Sequence, residues 1–292
     1  MKKWTLLFDV DRCNGCCNCV LATMDEYVGN SHPGYAEEMP RHGSPWLGMR
    51  AVERGAHPVV DIAYTPETCL HCANAPCMQR FPGEITRRDD GIVMIDPARA
   101  RGKRAMVDAC PVGAIHWNEE KQVPQNWNLD AHLLDAGWPQ PRAAQACPTG
   151  ALQVLKLSDE ELAGLKRRDT LEQNAQAQAL GSRLYFKGAH RLSSVLIGGS
   201  AAIEVQGREE PIVAAQVELC VGDTIAASTR TDDLGNFRFE LGTDPGDEIT
   251  LVLHHENHRY RHSVTRIGGV FRAGVLHVNA LTRELQGAAT AG

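Results

Sequence analysis

The chain has 292 residues, with 30 basic and 36 acidic side chains, a formal net charge of -6 and 43% hydrophobic residues. That length accommodates two domains with separate cores. The acidic balance and the lack of a basic excess argue against a nucleic-acid binder, and no apolar run is long enough to cross a bilayer. Ten cysteines are present; nine lie between positions 13 and 147, and only Cys220 lies beyond. Cysteine chemistry therefore belongs to the first half of the chain.

Met1–Asp9 begins basic and turns apolar for five residues, Trp4 to Phe8. This is too short for the core of an export signal, which places the chain in the cytoplasm unless a partner carries it out. Leu6, Phe8 and Val10 alternate as in a first strand. That strand leads into Cys13-Asn14-Gly15-Cys16-Cys17-Asn18-Cys19, which reads as C-x2-C-x2-C with Cys17 to spare. From Gly29 to Gly55 the text is rich in Pro, Gly and His and lacks periodicity, as expected of irregular surface or of a segment ordered by a partner. A second group, Cys69-Leu70-His71-Cys72-Ala73-Asn74-Ala75-Pro76-Cys77, reads C-x2-C-x4-C. Asp90-Gly91 turns the chain into a short strand, Ile92 to Ile95.

Two hexapeptides then match as C-P-x-G-A-(Ile/Leu): Cys110 to Ile115 and Cys147 to Leu152. The repeat points to a duplicated unit. Ser158 and Glu161 form the S-x-x-E of a helix capping box. Gln173 to Gln178 is polar and low in complexity, and reads as a linker. Beyond about Arg183, short alternating segments lie between Gly and Asp turns, among them Gln216–Leu219, Asn236–Glu240 and Ile249–Leu253. These predict an antiparallel β-sandwich. Thr231-Asp232-Asp233-Leu234-Gly235-Asn236-Phe237-Arg238-Phe239 resembles the T-D-x-x-G-x-F-x-F hairpin of carboxypeptidase-regulatory-like domains, with both Phe facing one core. The expected fold class is α+β, divided into an iron–sulfur domain at 1–157, a helical linker at 158–182 and an Ig-like or carboxypeptidase-regulatory-like sandwich at 183–292. No acid, base or nucleophile constellation stands out in the sandwich, so docking or stability is its expected role.

Two cysteine triads and two Cys-Pro units make eight ligands. Each iron of a cubane takes one protein thiolate, with three from a tight loop and the fourth from a remote Cys followed by Pro. Eight thiolates thus suit two [4Fe–4S] clusters. Zinc also takes four cysteines, but structural zinc sites combine pairs with pairs rather than triads with Cys-Pro. Disulfides suit neither the compartment nor three cysteines crowded in one loop. His71, between two ligands, reads as a shield or a hydrogen-bond donor to the cluster; Cys220 reads as a small buried hydrophobe; Lys103 and Arg104 read as a solvated face.

On these motifs the chain resembles the ferredoxin-like iron–sulfur subunits of molybdopterin oxidoreductases. The likeness is greatest to the pyrogallol–phloroglucinol transhydroxylase and resorcinol hydroxylase branch. Further matching text is Met24-Asp25-Glu26, Cys72 to Cys77, Asp90 to Val93, Trp117 to Glu120 and Ala131 to Asp135. The resemblance implies nested ligands: Cys13, Cys16, Cys19 and Cys147 for one cluster, and Cys69, Cys72, Cys77 and Cys110 for the other. It implies a non-catalytic electron-transfer role; a free-standing two-cluster ferredoxin and a structural subunit with redox-silent clusters are the alternative readings. The partner would be a large catalytic subunit that holds the molybdopterin (bis-MGD), and the complex would act on polyhydroxylated aromatics. Two further cluster sites of the family are not preserved. One would use positions 23, 127, 130 and 143, here Thr23, Trp127, Asp130 and Ala143. The other would use positions 81, 100, 103 and 106, here Phe81, Ala100, Lys103 and Met106. Eight losses that empty two whole sites imply deletion of clusters as units.

Overall fold

The computed structural model describes residues 1–267, 270–278 and 282–284. The chain forms two compact units: Met1–Val52 with Ala63–Leu192, and Glu53–Ile62 with Ser193 onward. The segment expected as a linker, 158–182, lies within the first unit, and a short internal stretch at 53–62 joins the second.

In the first unit, β1 (Lys3–Asp9) leads to α1 (Asn18–Tyr27), followed by β2 (Gly48–Ala56) and β3 (Val59–Glu67), whose turn carries the stretch that joins the second unit. Next come α2 (Pro76–Arg80), β4 (Ile85–Arg87), β5 (Val93–Ile95), α3 (Pro97–Ala100), β6 (His116–Asn118), β7 (Val123–Gln125), α4 (Ala131–Asp135) and α5 (Arg142–Gln145). The unit closes with β8 (Leu152–Leu157), α6 (Asp159–Arg168), α7 (Ala175–Ala179) and β9 (Leu184–Lys187).

β1 forms as the alternation predicts, with Leu6 and Phe8 in the core, yet Thr5 and Leu7 are buried as well. The strand is central in a three-stranded sheet, ordered β8-β1-β9, and both its faces are covered: Leu6 and Phe8 enter the main core, while Leu7 packs with Leu162 of α6 and Tyr185 of β9. β8 runs antiparallel to β1, with Phe8 opposite Leu152, and β9 runs parallel, with Leu6 opposite Leu184. α6 starts at a complete capping box: the Ser158 hydroxyl accepts from the Glu161 N–H, and the Glu161 carboxylate accepts from the Ser158 N–H. This satisfies two of the amide donors that a helix start leaves open.

Two expectations change. Gly29–Gly55 is more than an irregular surface. Met39, Trp46 and Leu47 anchor it in the core, and its end enters the β2–β3 hairpin. Ala36, Met39, Trp46 and Leu47, the buried apolar side chains of this segment, are spaced too irregularly to show a period. The polar stretch 173–178 contains α7, capped by the Asn174 side chain on the Ala177 N–H at 2.7 Å.

The second unit is β-rich. It contains β10 (Val195–Val205), β11 (Arg208–Pro211), β12 (Gln216–Val221), β13 (Thr224–Arg230), β14 (Asn236–Leu241), β15 (Ile249–His255), β16 (His258–Ile267), β17 (Val270–Arg272), β18 (Gly274–His277) and β19 (Thr282–Glu284). One sheet is ordered β11-β10-β14 with β18 beside β10; the other is ordered β13-β12-β15-β16-β17 with β19 on β16. Ile197, Phe237 and Phe239 of the first sheet share a core with Val217, Leu219, Leu251 and Leu253 of the second. Cys220 is buried on β12, as expected.

The Thr231–Phe239 motif is not a hairpin. β13 pairs with β12 while β14 pairs with β10, so the turn carries the chain from one sheet to the other. The Asp232 carboxylate accepts from the Leu234 and Asn236 N–H groups at 2.9 and 2.8 Å, and Gly235 takes a positive φ of 77°. A Cβ at Gly235 would stand 2.6 Å from the Ala201 carbonyl, so the turn requires glycine. The alternation places both Phe in the core but does not say which strand lies beside β14. Within the same unit, the buried Arg54 guanidinium binds Asp61, Ser194 and Glu240, which pins the 53–62 stretch against β10 and β14.

Candidate iron–sulfur sites

The sheet of the first unit sets the first site. β1 ends where β8 begins, and the Asp9 N–H donates to the Ala151 carbonyl at 2.9 Å. The loop after β1 carries Cys13 and Cys16, the first turn of α1 carries Cys19, and the turn before β8 carries Cys147. Residues 128 positions apart, Cys19 and Cys147, therefore meet at one end of the sheet. Cys13, Cys19 and Cys147 pack against the same core. Gly15 adopts φ 70°, and a Cβ there would lie 2.3 Å from the Tyr64 ring, so only glycine lets the loop close under that ring.

The second site forms around α2. A hollow is lined by Cys69, Cys72, Cys77 and Cys110, and the rest of its wall is mainly apolar, including Ile85, Val93, Ile95 and Ile115. The loop that carries Cys69 and Cys72 hangs from the start of β9. The Arg183 N–H donates to the Leu70 carbonyl at 3.0 Å, and the Ala73 and Asn74 N–H groups donate to the Gly181 and Leu180 carbonyls at 2.9 and 3.0 Å. These backbone clasps come from the segment read as linker. They leave no hydrophobic period, so the sequence did not disclose them; the one signal was Gly181, whose φ is 61° and whose Cβ would meet the Ala73 Cβ at 2.8 Å. At the other end of β9, the Val10 N–H donates to the Lys187 carbonyl at 3.0 Å. The two loops are thus anchored at opposite ends of one four-residue strand, about 13 Å apart.

The two Cys-Pro units fold alike, as their matching text requires. Gly113 and Gly150 have φ of 67° and 63°. Their N–H groups each donate to the Cys110 and Cys147 carbonyls at 3.2 Å. Each sulfur receives a backbone N–H: Ala114 to Cys110 Sγ at 3.3 Å and Leu152 to Cys147 Sγ at 3.4 Å. Such donors stabilise a ligating thiolate and tune a cluster's potential.

Burial dominates the thiol electrostatics. It pushes Cys19 up to about 12 and Cys72 up to about 11, and raises Cys13, Cys69 and Cys77, with neighbouring thiolates adding to the effect. Cys147 goes the other way: burial is outweighed by hydrogen bonds from the Leu152 N–H and the Thr149 hydroxyl. Groups of buried thiols that resist ionisation need a multivalent cation as counter-charge, and iron supplies it. His71 adds a second sign of fit. Its Nδ1 accepts from the Val93 N–H at 3.0 Å, and burial, then Arg87, lowers its pKa to about 3. The ring is neutral with its proton on Nε2, a buried donor without a protein partner among the described residues. A donor left open beside two ligands suits a cluster sulfide as its acceptor.

Cys17 is exposed, in left-handed conformation at φ 58° just before α1, and its Sγ donates to the Gly15 carbonyl at 3.4 Å. None of the ten cysteines forms a disulfide. The eight positions that depart from the family pattern are filled. Trp127 and Ala143 are fully buried in the first core; the Trp127 Nε1–H donates to Asp130 Oδ1 at 2.9 Å, and the Thr23 hydroxyl donates to the Cys19 carbonyl at 3.0 Å. Ala100 and Met106 are fully buried with Phe81 packed against them, while Lys103 reaches out to Glu84. Lys103 and Arg104 keep 41% and 67% side-chain exposure and pair with Glu84 and Glu119, the solvated face expected.

A thiol-lined hollow, a second group of thiols at a sheet end and paired Cys-Pro turns define a ferredoxin-type iron–sulfur protein. A family model described as a 4Fe-4S dicluster domain matches residues 60–157. The pyrogallol hydroxytransferase small subunit of Pelobacter acidigallici is 36% identical over 267 residues, covering 90% of this chain and 95% of the relative. The thiosulfate reductase electron transfer subunit of Salmonella typhi is 28% identical over 162 residues, covering 55% of this chain and 80% of the relative. A tetrathionate reductase subunit of Salmonella typhimurium is 30% identical over 158 residues, covering 54% of this chain and 59% of the relative. The chain belongs to the family of iron–sulfur small (beta) subunits of molybdoenzymes that includes the pyrogallol hydroxytransferase small subunit. No helix among the described residues is long and apolar enough to cross a membrane.

Proposed function

We propose that this chain is the electron-transfer subunit of a molybdopterin-dependent oxidoreductase or hydroxytransferase complex acting on polyhydroxylated aromatics. It carries two [4Fe–4S] clusters, one on Cys13, Cys16, Cys19 and Cys147 and the other on Cys69, Cys72, Cys77 and Cys110. The observation that carries the substrate class is the 36% identity to the pyrogallol hydroxytransferase small subunit across 90% of the chain. A match of that extent takes in most of the β-rich unit as well as the cysteine-bearing one. The cluster count is supported by the two thiol groups and by the residues at the other two family sites, Thr23, Trp127, Asp130 and Ala143 and Phe81, Ala100, Lys103 and Met106, which offer no cysteine thiolate. The molybdopterin belongs to the large partner, where it would supply the substrate chemistry. The chain's own residues hold the clusters, shield them with apolar walls and set their potentials through N–H···S bonds. Two sheets around one core support reading the second unit as a sandwich of the carboxypeptidase-regulatory-like or Ig-like kind, serving docking or stability.

The test is a metal count on the tagged chain purified from its host without oxygen. About eight irons with about one molybdenum per chain are expected. Eight irons with no molybdenum and no large partner would replace this reading with a free-standing ferredoxin. Zinc in place of iron would end it.

A further inference from the structure

Away from both thiol groups, three ligand-bearing side chains from distant parts of the first unit converge. Glu26 lies on α1, His32 in the segment after it and His132 on α4. Their ligand atoms all lie within 4.8 Å of one another, the one such group of His, Cys, Asp and Glu among the described residues. His132 Nε2 stands 2.7 Å from Glu26 Oε1, and His32 Nε2 stands 3.5 Å from the same oxygen. We propose that Glu26, His32 and His132 form a separate mononuclear site for a divalent transition-metal ion of the zinc class.

The geometry and the donor chemistry both favour this. Zinc binds histidine nitrogen and carboxylate oxygen at about 2.0–2.2 Å, so the donors of a tetrahedral site stand about 3.3 Å apart. The observed edges of 2.7 and 3.5 Å bracket that value, and the remaining edge is no longer than 4.8 Å. Two imidazoles and one carboxylate form a three-ligand set that leaves a fourth position for water. Glu26 is already held as an oriented ligand: its other oxygen, Oε2, accepts from Arg142 Nη1 at 2.7 Å, which aims Oε1 at the imidazoles. Its carboxyl is ionised at neutral pH, because hydrogen bonds from Arg142 and His132 outweigh the effect of burial. The rings are also confined. His32 and His132 stack at 3.7 Å between centroids with the Tyr27 ring edge-on against both, and the two imidazoles would splay apart on binding so that both Nε2 lone pairs meet at one ion. Without an ion, the His132 Nε2–H donates to Glu26 Oε1 and His32 Nε2 stands 3.3 Å from the Glu26 carbonyl, so an entering ion would displace the Nε2 protons and take over these contacts. The imidazoles keep 19% and 13% side-chain exposure, enough for an ion to enter. A bound ion would tie α1 to α4 across 106 residues of sequence and brace the helix that carries Cys19.

The test uses the anaerobically purified full chain in its native complex. The sample is equilibrated with zinc sulfate, passed through gel filtration and assayed for zinc and iron together. Zinc-edge X-ray absorption then reports the donors. The expected result is about one zinc per chain held by nitrogen and oxygen donors alone, with the iron content unchanged. Glu26→Gln and His132→Ala should each weaken zinc retention by more than the about 10–100-fold that loss of an outer-shell partner costs. The iron content serves as their folding control. Should either variant lose iron as well, His32→Gln and the wild-type absorption spectrum decide. Failure of the wild type to retain zinc, sulfur in the zinc shell, or undiminished zinc in variants that keep their iron would each overturn the proposal. None of these outcomes bears on the cluster ligands or the molybdenum partner.

Discussion

Cys147→Ala should strip one cluster and leave the other intact. Cys147 packs in the core that holds Cys13 and Cys19, whereas Cys110 packs in the separate core of Cys69 and Cys77. A cubane needs one thiolate per iron, so loss of one of four should lower the iron content from about eight to about four per chain. The fold itself should survive. Alanine leaves the Leu152 N–H without its sulfur acceptor, a loss of about 1–3 kcal/mol against a typical stability of about 5–15 kcal/mol. Iron loss can therefore be assigned to the missing ligand rather than to unfolding. The assay is iron and acid-labile sulfide in the anaerobic protein, with low-temperature EPR after reduction. Cys16→Ala should leave the same residual spectrum as Cys147→Ala, and Cys110→Ala the complementary one. If Cys147→Ala and Cys110→Ala leave the same residual signal, the nested assignment is wrong.

Trp127→Ala should cost about 3–5 kcal/mol, since it empties a fully buried indole volume and removes the donor to Asp130; lowered thermal stability with early loss of the Cys147 cluster signal would bear this out. Arg54→Ala removes the buried guanidinium that Asp61, Ser194 and Glu240 share and should cost about 1–3 kcal/mol, read as faster amide exchange in β10 and β14; unchanged exchange would refute it. In cluster-free protein at pH 8, Cys147 should be alkylated before Cys19. The first thiol is lowered and so partly ionised there, while the second, at about 12, stays protonated until the pH rises far higher. Peptide mapping that found the reverse order would contradict the hydrogen-bond account. Acidification should weaken the start of α6. The Glu161 carboxylate, held at about 2 by Lys2 and the Ser158 N–H, contributes above its unfolded pKa of about 4.3, and that contribution fades as pH falls toward 2; loss of the α6 amide protection at neutral pH instead would exclude this cause.

The cysteine spacing was enough to determine the chemistry, because a cubane imposes its ligand count and loop geometry on the text itself. The matching hexapeptides likewise fixed two equivalent turns, since glycine at the fourth place is what their positive φ requires. Strand β14 was legible because it has one buried face and alternates accordingly, whereas β1, β12 and β15 were read from alternating text although most of both their faces is buried. Other features were decided only in three dimensions. β14 joins β10 rather than β13, because two apolar faces in one core are interchangeable in a one-dimensional pattern. The clasp of residues 180–183 on the second cysteine loop uses backbone groups, which every residue type supplies alike. The meeting of Glu26, His32 and His132 depends on α1 lying near α4, a proximity that no local period encodes. Chemistry written in residue type and spacing is readable from the chain, whereas contacts made by backbone or across distant elements exist only after folding.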